Sequence, residues 1–574
     1  MKRVWAFVAL LFSMLLSAIG VLAVLSSEAD LAWISRTSSY FAPRGPSPDL
    51  PPTDIRLQSR NGGVEQVHLV ANRHDRVTLV FVRDISSNPD MPLQLQATVR
   101  YGRNASLLDN EGLATARVYT GMQEYNSYLW NPPMGAPFLN RSEIAKLMNT
   151  ASWAQPWWPV YNNDTAANIP ENESVKAAYN NPASLYQSPL IFTVKLENLL
   201  PNTQYFYEID GEYQGNFTTL PMDGDHSKPL TLGMWADVGQ TNVSALNMEY
   251  LLHDVNPDLV LLAGDLSYAD AFQQRWDTWG RLMEPLMSHK LSLFCNADHE
   301  LNVGNEQNIG YLFRYPAPFE ESNSPSFEYY SYKTGPLHII ALGSYTVFNH
   351  SSVQYRWLEQ ELARIDRRRT PWVLVMLHVP WYCSNFVHIG EGLLMRESME
   401  PLLYKYGVDI VLTGHVHAYE RTFPVYQNET NSCGPVHFDL GDAGNREGAY
   451  TDWLMPQPSW SAFREASFGV GKLVIYNETH AYYEWHRVAC EDTNATHCAT
   501  KGDNSAQRYD ISDTTWVIRN TSQCPNRLMP NAMSEPVHRM PNPPAGIARP
   551  RPARPAPQLP GQPAAAPAPA HPHP

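Results

Sequence analysis

The sequence predicts an α/β domain at residues 228–525, with helices flanking its strands, preceded by an all-β domain at residues 57–222. Three observations predict it. From Val64 to Leu220 the apolar runs are short, rich in β-branched and aromatic residues and free of helical period. From about Pro229 onward, strand-like runs alternate with segments whose apolar residues recur at helical spacing. Five of those later runs also stop abruptly at Asp, Tyr or His.

In chain order, Lys2 and Arg3 precede an uncharged apolar stretch, Val4 to Leu25. Residues 1–27 therefore read as a secretory signal peptide or, uncleaved, a signal anchor. Residues 28–56 form a Pro-rich linker, densest from Ala42 to Pro52. Val64–Val70, Arg76–Val82, Leu190–Leu196, Gln204–Ile209 and Gly215–Leu220 are the expected strands of the N-terminal domain. Between them, Tyr119 to Tyr186 is rich in Asn, Pro, Trp and Tyr. It is either an elaborated surface loop or a site where Trp153, Trp157 and Trp158 form a platform over a cleft or a subunit contact.

In the α/β domain, Ala245–Val255, Phe272–Met287, Gln354–Arg368 and Leu393–Tyr406 carry the helical pattern. The Arg367-Arg-Arg369 run closes the third of these as a dipole-favoured last turn. Val436–Gly448 and Phe468–Tyr476 add strands that finish a second layer. The Pro/Ala-rich residues 526–574 cannot bury a core and are expected to be a disordered tail.

At 574 residues the chain exceeds one ordinary domain, and 43% hydrophobic with 11% aromatic residues supply a sizeable core. A net charge of −15 implies no broad basic surface, which excludes nucleic acid as a partner. Asn-x-Ser/Thr sequons recur from Asn104 to Asn520, and the cysteines number six. Both fit a glycoprotein of an oxidising compartment. Cys490 and Cys498 flank a short polar loop and are the expected pair; Cys295, inside an apolar strand, is a disulfide partner or a buried free thiol.

The five strand exits are Leu230–Asp237, Asp258–Asp270, Leu291–Glu300, Val373–His378 and Asp409–His417. Open α/β sheets bind ligands beyond the carboxyl ends of their strands, so these exits are expected to converge. They supply Asp237, Asp265, Tyr268, Asp298, His378, His415 and His417, enough oxygen and imidazole donors for two adjacent ions of Fe, Zn or Mn. Alternation on an extended strand exit would send His415 and His417 to the same side.

Asp237-x-Gly239, Gly264-Asp265-x-x-Tyr268, Asp298-His299-Glu300, Val375-x-x-His378 and Gly414-His415-x-His417 resemble, in order and spacing, the motif set of the purple acid phosphatases. Gly264–Asp270, Gly414–Arg421 and Gly441–Gly448 are similar to the plant-type, high-molecular-weight branch. The resemblance covers roughly residues 60 to 490. It implies a metallophosphoesterase β-sandwich flanked by helices, behind a fibronectin type III-like domain.

The resemblance also assigns roles. Asp237, Tyr268 and His417 would hold Fe(III), Asp265 would bridge, and Asp298, His378 and His415 would hold Zn, Fe or Mn. His299 and His388 would act on substrate, His299 by orienting the phosphoryl oxygens or protonating the leaving group. The implied reaction is in-line attack of a metal-bound hydroxide on a phosphate monoester; a phosphodiesterase or nucleotide pyrophosphatase activity, or a weakened non-catalytic secreted glycoprotein, are the alternatives. The expected partners are a phosphate ester, no nucleic acid, a membrane only if the N-terminal segment stays uncleaved, and a homodimer as a compatible assembly. The expected location is extracellular or a lysosome- or vacuole-like lumen, alternatively at a membrane through that segment.

Two positions depart from the family pattern. Ala297-Asp298-His299-Glu300 stands where the family has Gly-Asn-His-Glu, so a carboxylate replaces a neutral amide. Asp237, Asp265, Tyr268 and a bridging hydroxide bring about −4 against about +5, and Asp298 takes the sum near zero. The expectation is a tighter second metal and weaker attraction for phosphate; a shifted metal preference, or a weakened and even non-catalytic member, are the alternatives. At the second position, Val387 stands where plant-type members carry a histidine next to His388.

Overall fold

The computed structural model describes residues 49–51, 53–84, 95–122, 185–270, 273–301, 308–488, 509–519 and 524. The signal or anchor segment, Trp153, Trp157 and Trp158, the Cys490–Cys498 pair and the 526–574 tail lie outside the described residues.

The N-terminal part is all-β, as its pattern predicts. Its strands are β1 (Val64–Arg73), β2 (Arg76–Arg83), β3 (Gln96–Gly102), β4 (Asn110–Arg117), β5 (Leu190–Leu196), β6 (Gln204–Ile209) and β7 (Tyr213–Thr218). The α/β part comes next with β8 (Leu230–Trp235), α1 (Asn242–Tyr250), β9 (Leu259–Leu262), α2 (Gln274–Met287), β10 (Leu291–Phe294), β11 (Tyr330–Thr334), β12 (Leu337–Ala341), α3 (Val353–Ala363), β13 (Trp372–Met376) and α4 (Leu393–Lys405). It is completed by β14 (Ile410–Thr413), β15 (Tyr419–Thr422), β16 (Val436–Leu440), β17 (Ser461–Glu465), β18 (Gly469–Ile475), β19 (His480–Val488) and β20 (Tyr509–Ile518).

Two sheets result. One runs β20-β19-β18-β8-β9-β10-β1-β2-β5-β4-β3-β6-β7, the other β11-β12-β13-β14-β16-β15-β17. In the first, β8, β9 and β10 are parallel in register Leu232↔Leu259↔Leu291. In the second, β12, β13, β14 and β16 are parallel. The N-terminal strands join the first sheet edge to edge, because β1 pairs parallel with β10 at Leu69↔Leu291.

The unbroken apolar runs are explained by burial on both faces. On β9, Leu259 and Leu261 face the core between the sheets with Ile339, Leu374 and Leu412, whereas Val260 and Leu262 pack under α1 and α2. On β13, Leu374 faces that inner core while Val373 and Val375 pack under α3 and α4.

The helices fall close to the predicted spans, and three features differ from the sequence reading. The first switches to a π-helical turn at Leu251–Val255 and stops at Asn256, whose left-handed φ of 45° ends it. The third ends at Ala363, so the Arg367–Arg369 run is not its last turn. Arg367 instead clamps the β13–β14 edge, donating to Asp409 at 2.9 Å and to the Pro371 and Tyr406 carbonyls. Lastly, the end of the Pro-rich stretch is docked: Leu50 and Leu57 are buried, and Leu50 N–H donates to the Gln240 carbonyl.

Cys295 is a buried free thiol, and a Cys433–Cys524 disulfide that sequence spacing did not single out ties residues 91 apart. The sequon residues Asn104, Asn349, Asn428 and Asn477 are exposed. Among the described residues no helix is long and apolar enough to cross a membrane.

Candidate metal centre

The turns that leave the strands are held in unusual backbone. Asp237, Asp265, Tyr268, Asp270 and His415 have φ of 58°, 53°, 51°, 50° and 72°. Left-handed backbone outside glycine costs on the order of 1–3 kcal/mol per residue, so the surroundings must impose it. Glu300 does part of this, its carboxylate accepting from the Asp265 and Leu266 N–H groups at 2.9 Å each. Asp237 accepts from the His415 N–H at 2.8 Å and so ties two exits from different sheets together. Glycine is required between them. A Cβ on Gly264, at φ +92°, would lie 2.7 Å from His378 Nδ1, and one on Gly414 would collide with Asp237 Oδ2.

The seven expected ligand residues come together in two adjoining groups. In the first, the Tyr268 hydroxyl lies 3.2 Å from Asp237 Oδ1 and 3.0 Å from His417 Nε2, and His417 Nε2 is 3.3 Å from Asp237 Oδ1. In the second, His378 Nε2 is 3.3 Å from Asp265 Oδ2 and 3.1 Å from Asp298 Oδ1, and His415 Nδ1 is 3.4 Å from Asp298 Oδ1. One donor atom from each of Asp265, Asp298, His378 and His415 falls within 4.8 Å of all the others.

His415 and His417 do not lie on extended backbone. β14 ends at Thr413, and the left-handed turn at His415 sends its ring to Asp298 while His417 turns to Tyr268. Both histidines reach the adjoining groups, but through one reversed φ rather than through strand alternation.

His299 and His388 stand on different sides. His299 Nδ1 bonds Asp270, and its Nε2 faces Asp265, Asp298 and Glu447 at 3.8, 3.8 and 3.7 Å. Its ring lies 4.0 Å from that of Tyr268. His388 Nδ1 is 2.9 Å from Glu391 Oε1, and the other oxygen of Glu391 is 2.7 Å from His415 Nε2.

Sequence reasoning missed five neighbours. Asp270 couples His299 to the fully buried Arg446, whose guanidinium also donates to the Tyr268 carbonyl at 2.6 Å. Glu447 faces His299, Glu391 joins two histidines, and the Tyr345 hydroxyl donates to Asp298 at 2.9 Å. The signals were available for Asp270, Arg446 and Glu447, which sit inside the 264–270 and 441–448 motifs; Tyr345 had none.

The electrostatics point to a cation. Burial, with Asp237 and Asp265 beside it, drives the Tyr268 phenol well above its ordinary range. Burial likewise raises Asp237. Burial pulls His378 down, but Asp265 and Asp237 outweigh it and push it well up. His415 is pushed up to about 9, the pull of burial being overcome by Asp298 and Glu391. Each group would hold a proton that a metal can replace. His378 Nδ1 bonds the Ala263 carbonyl at 2.8 Å, which turns Nε2 toward the carboxylates. That Nε2 and Asp265 Oδ2 are both fully buried and make no hydrogen bond among the described residues. Imidazole, carboxylate and phenol donors facing one another in this way fit two hard or borderline ions.

Known proteins match this chain in sequence and in fold. Residues 226–419 match the family described as calcineurin-like phosphoesterase, and residues 434–497 match the iron/zinc purple acid phosphatase-like protein C family. A purple acid phosphatase from yellow lupin shares the fold at a TM-score of 0.58 and 20% identity, covering 80% of this chain and 75% of its own. Fold and ligand arrangement together define a metallophosphoesterase. Probable purple acid phosphatase 20 of Arabidopsis thaliana is 45% identical over 313 residues, 53% of this chain and 72% of the relative. The Fe(3+)-Zn(2+) purple acid phosphatase 12 of the same plant is 38% identical over 327 residues, 53% and 69%. The chain belongs to the purple acid phosphatase family.

Proposed function

We propose that the protein is an acid phosphatase that hydrolyses phosphate monoesters at a dinuclear centre of Fe(III) with Zn, Fe or Mn. The observation that carries this is the pair of adjoining donor groups, one built on Asp237, Tyr268 and His417 and the other on Asp265, Asp298, His378 and His415. When bound, the ions would polarise the phosphoryl oxygens and make a water acidic enough to attack at low pH.

The chain's own residues do the rest. Asp270 holds His299 at Nδ1, leaving its Nε2 to donate to a phosphoryl oxygen. Without metal, Asp265, Asp298 and Glu447 push His299 up to about 9 against the pull of burial. His388 stands beside His415 with Nδ1 engaged by Glu391, leaving Nε2 to protonate the leaving oxygen. Burial and the neighbouring His415 lower His388, so its proton is present only in acid. Cys383 has no part: burial raises its thiol well above the usual range.

The same reading assigns the chain to an extracellular or lysosome- or vacuole-like lumen, reached through residues 1–27 and supported by the Cys433–Cys524 disulfide and exposed sequons. It takes residues 57–222 as a supporting domain and 228–525 as the catalytic one, with no nucleic-acid partner given the net charge of −15. The test is metal analysis with a visible spectrum on the purified glycoprotein. Two metals per chain and a visible charge-transfer band, lost in Tyr268→Phe, are expected; a colourless protein that takes up no iron would refute the proposal.

A further inference from the structure

Beside the metal centre lies a cavity of 630 Å³ that the chemistry above leaves unused. Its walls are the 344–349 loop after β12 and the start of α4, with Val347, Phe348, Val379 and Met395 as its apolar lining. Two of its lining residues contact the centre. Tyr345, which lines it, donates to Asp298, and Glu391, which also lines it, bonds both His388 and His415. Val379 follows His378 in the chain, and the Ser344 hydroxyl accepts from the N–H groups of both.

The charge around the cavity is one-sided. Among its described lining residues Glu391 is the only ionised side chain, and no Lys or Arg lines it. The segment that carries His388 and Glu391 also exposes unpartnered apolar surface: Phe386 is 49% exposed, Val387 43%, Ile389 44% and Leu394 68%. Val347 on the facing loop is 65% exposed.

The geometry points to this cavity as the seat of the substrate's leaving group, selecting phosphate monoesters of apolar, uncharged alcohols or phenols over esters that carry a further anionic group. The inference rests on the monoesterase reading and names its substrate class. Three observations support it. The cavity adjoins His388, the group placed to protonate the departing oxygen. Its lining removes apolar surface from water, worth about fourfold in affinity per buried methylene. A second phosphate or carboxylate within the cavity would meet Glu391 with no Lys or Arg among the described lining residues to pair it, and an uncompensated anion is costly to desolvate.

The test compares phenyl phosphate, para-butylphenyl phosphate and para-(carboxyethyl)phenyl phosphate, whose phenols have nearly the same basicity. KM for the butyl ester is expected to fall roughly tenfold or more below that of phenyl phosphate, and KM for the carboxylated ester to rise. Val347→Lys is expected to shrink the butyl advantage and to narrow the penalty on the carboxylated ester. Phenylphosphonate and para-butylphenylphosphonate, which cannot be hydrolysed, are titrated into the metal-loaded protein in parallel. Tighter binding of the butyl compound, with a more negative heat capacity change, is expected. If phenyl phosphate is turned over but the three esters share one KM, the cavity assignment is wrong and the phosphatase reading stands. If no ester is hydrolysed, the phosphatase reading fails, and the phosphonates still decide: equal binding, or none, overturns the cavity as an apolar site.

Discussion

Tyr345 donates its phenolic hydrogen to Asp298 Oδ1 at 2.9 Å, the same oxygen that faces His378 Nε2 at 3.1 Å and His415 Nδ1 at 3.4 Å. A side chain 38% exposed is thereby aimed at two imidazoles, and the carboxylate that replaces the family's amide is oriented as a ligand would be. Removing one negative charge from the centre should strengthen phosphate binding and weaken metal retention. Asp298→Asn is expected to lower the inhibition constant for inorganic phosphate roughly tenfold, about 1.4 kcal/mol, and to speed loss of the second metal to a chelator. Inhibition kinetics and timed metal analysis check both.

With His388 as the proposed general acid, Glu391 is expected to set the alkaline limit of activity. Burial lowers His388 and Glu391 pulls it back up. A general acid works only while protonated, so the rate falls as pH rises through the His388 value, which lies below the ordinary ~6.5. Glu391→Gln removes the supporting charge and should move that limb to still lower pH. His388→Gln should cost about 10²-fold with alkyl esters and far less with para-nitrophenyl phosphate, whose leaving group needs no proton.

Asp270 is expected to act through His299, whose Nδ1 it bonds. Asp270→Asn leaves the ring without the carboxylate that fixes its tautomer, so its Nε2 proton is no longer presented to the phosphoryl group. The loss should be similar for good and poor leaving groups, roughly 10- to 100-fold in kcat/KM, because the contact is to the phosphoryl oxygens. A set of esters spanning leaving-group basicity separates this from the behaviour of His388→Gln.

Metal uptake should release protons. Without metal, His415 is held near 9, and His378, Asp237 and Tyr268 are all raised. Raised groups favour the metal-free fold at low pH, and that contribution fades as pH rises through their folded values; the metal must displace the same protons. Affinity and the metal-dependent increase in Tm should therefore grow between about pH 5 and pH 8. Thermal melts with and without chelator, and calorimetry in buffers of different ionisation enthalpy, measure this.

Gly264→Ala tests the turn itself. An alanine at φ +92° is strained, and its Cβ would lie 2.7 Å from both His378 Nδ1 and the Ala297 Cβ. A loss of about 1–3 kcal/mol from the backbone term, with further loss from displacing His378, is expected in denaturant melts, together with reduced metal content.

Much of the centre was legible in the chain because parallel strands buried on both faces read as unbroken apolar runs, and the residues just past such a run lie at one end of a sheet. Asp237, Asp265, His378 and His415 were found that way. Convergence came from that rule, but the direction of each side chain did not. One left-handed residue at His415 separates it from His417, and no sequence period encodes a single reversed φ.

The sequence by itself determined the all-β and α/β halves, the parallel strands and the donor residues, since these depend on local periodicity and residue chemistry. Tertiary structure alone decided that Arg446 backs Asp270, that Tyr345 aims Asp298, that Glu391 joins His388 to His415, and that β1 fuses the N-terminal strands to the catalytic sheet at Leu69↔Leu291. Those pairings join residues tens to hundreds of positions apart, or only three apart across a turn. A contact of that kind exists only once the sheets have packed and brought the chain's separate turns to one place.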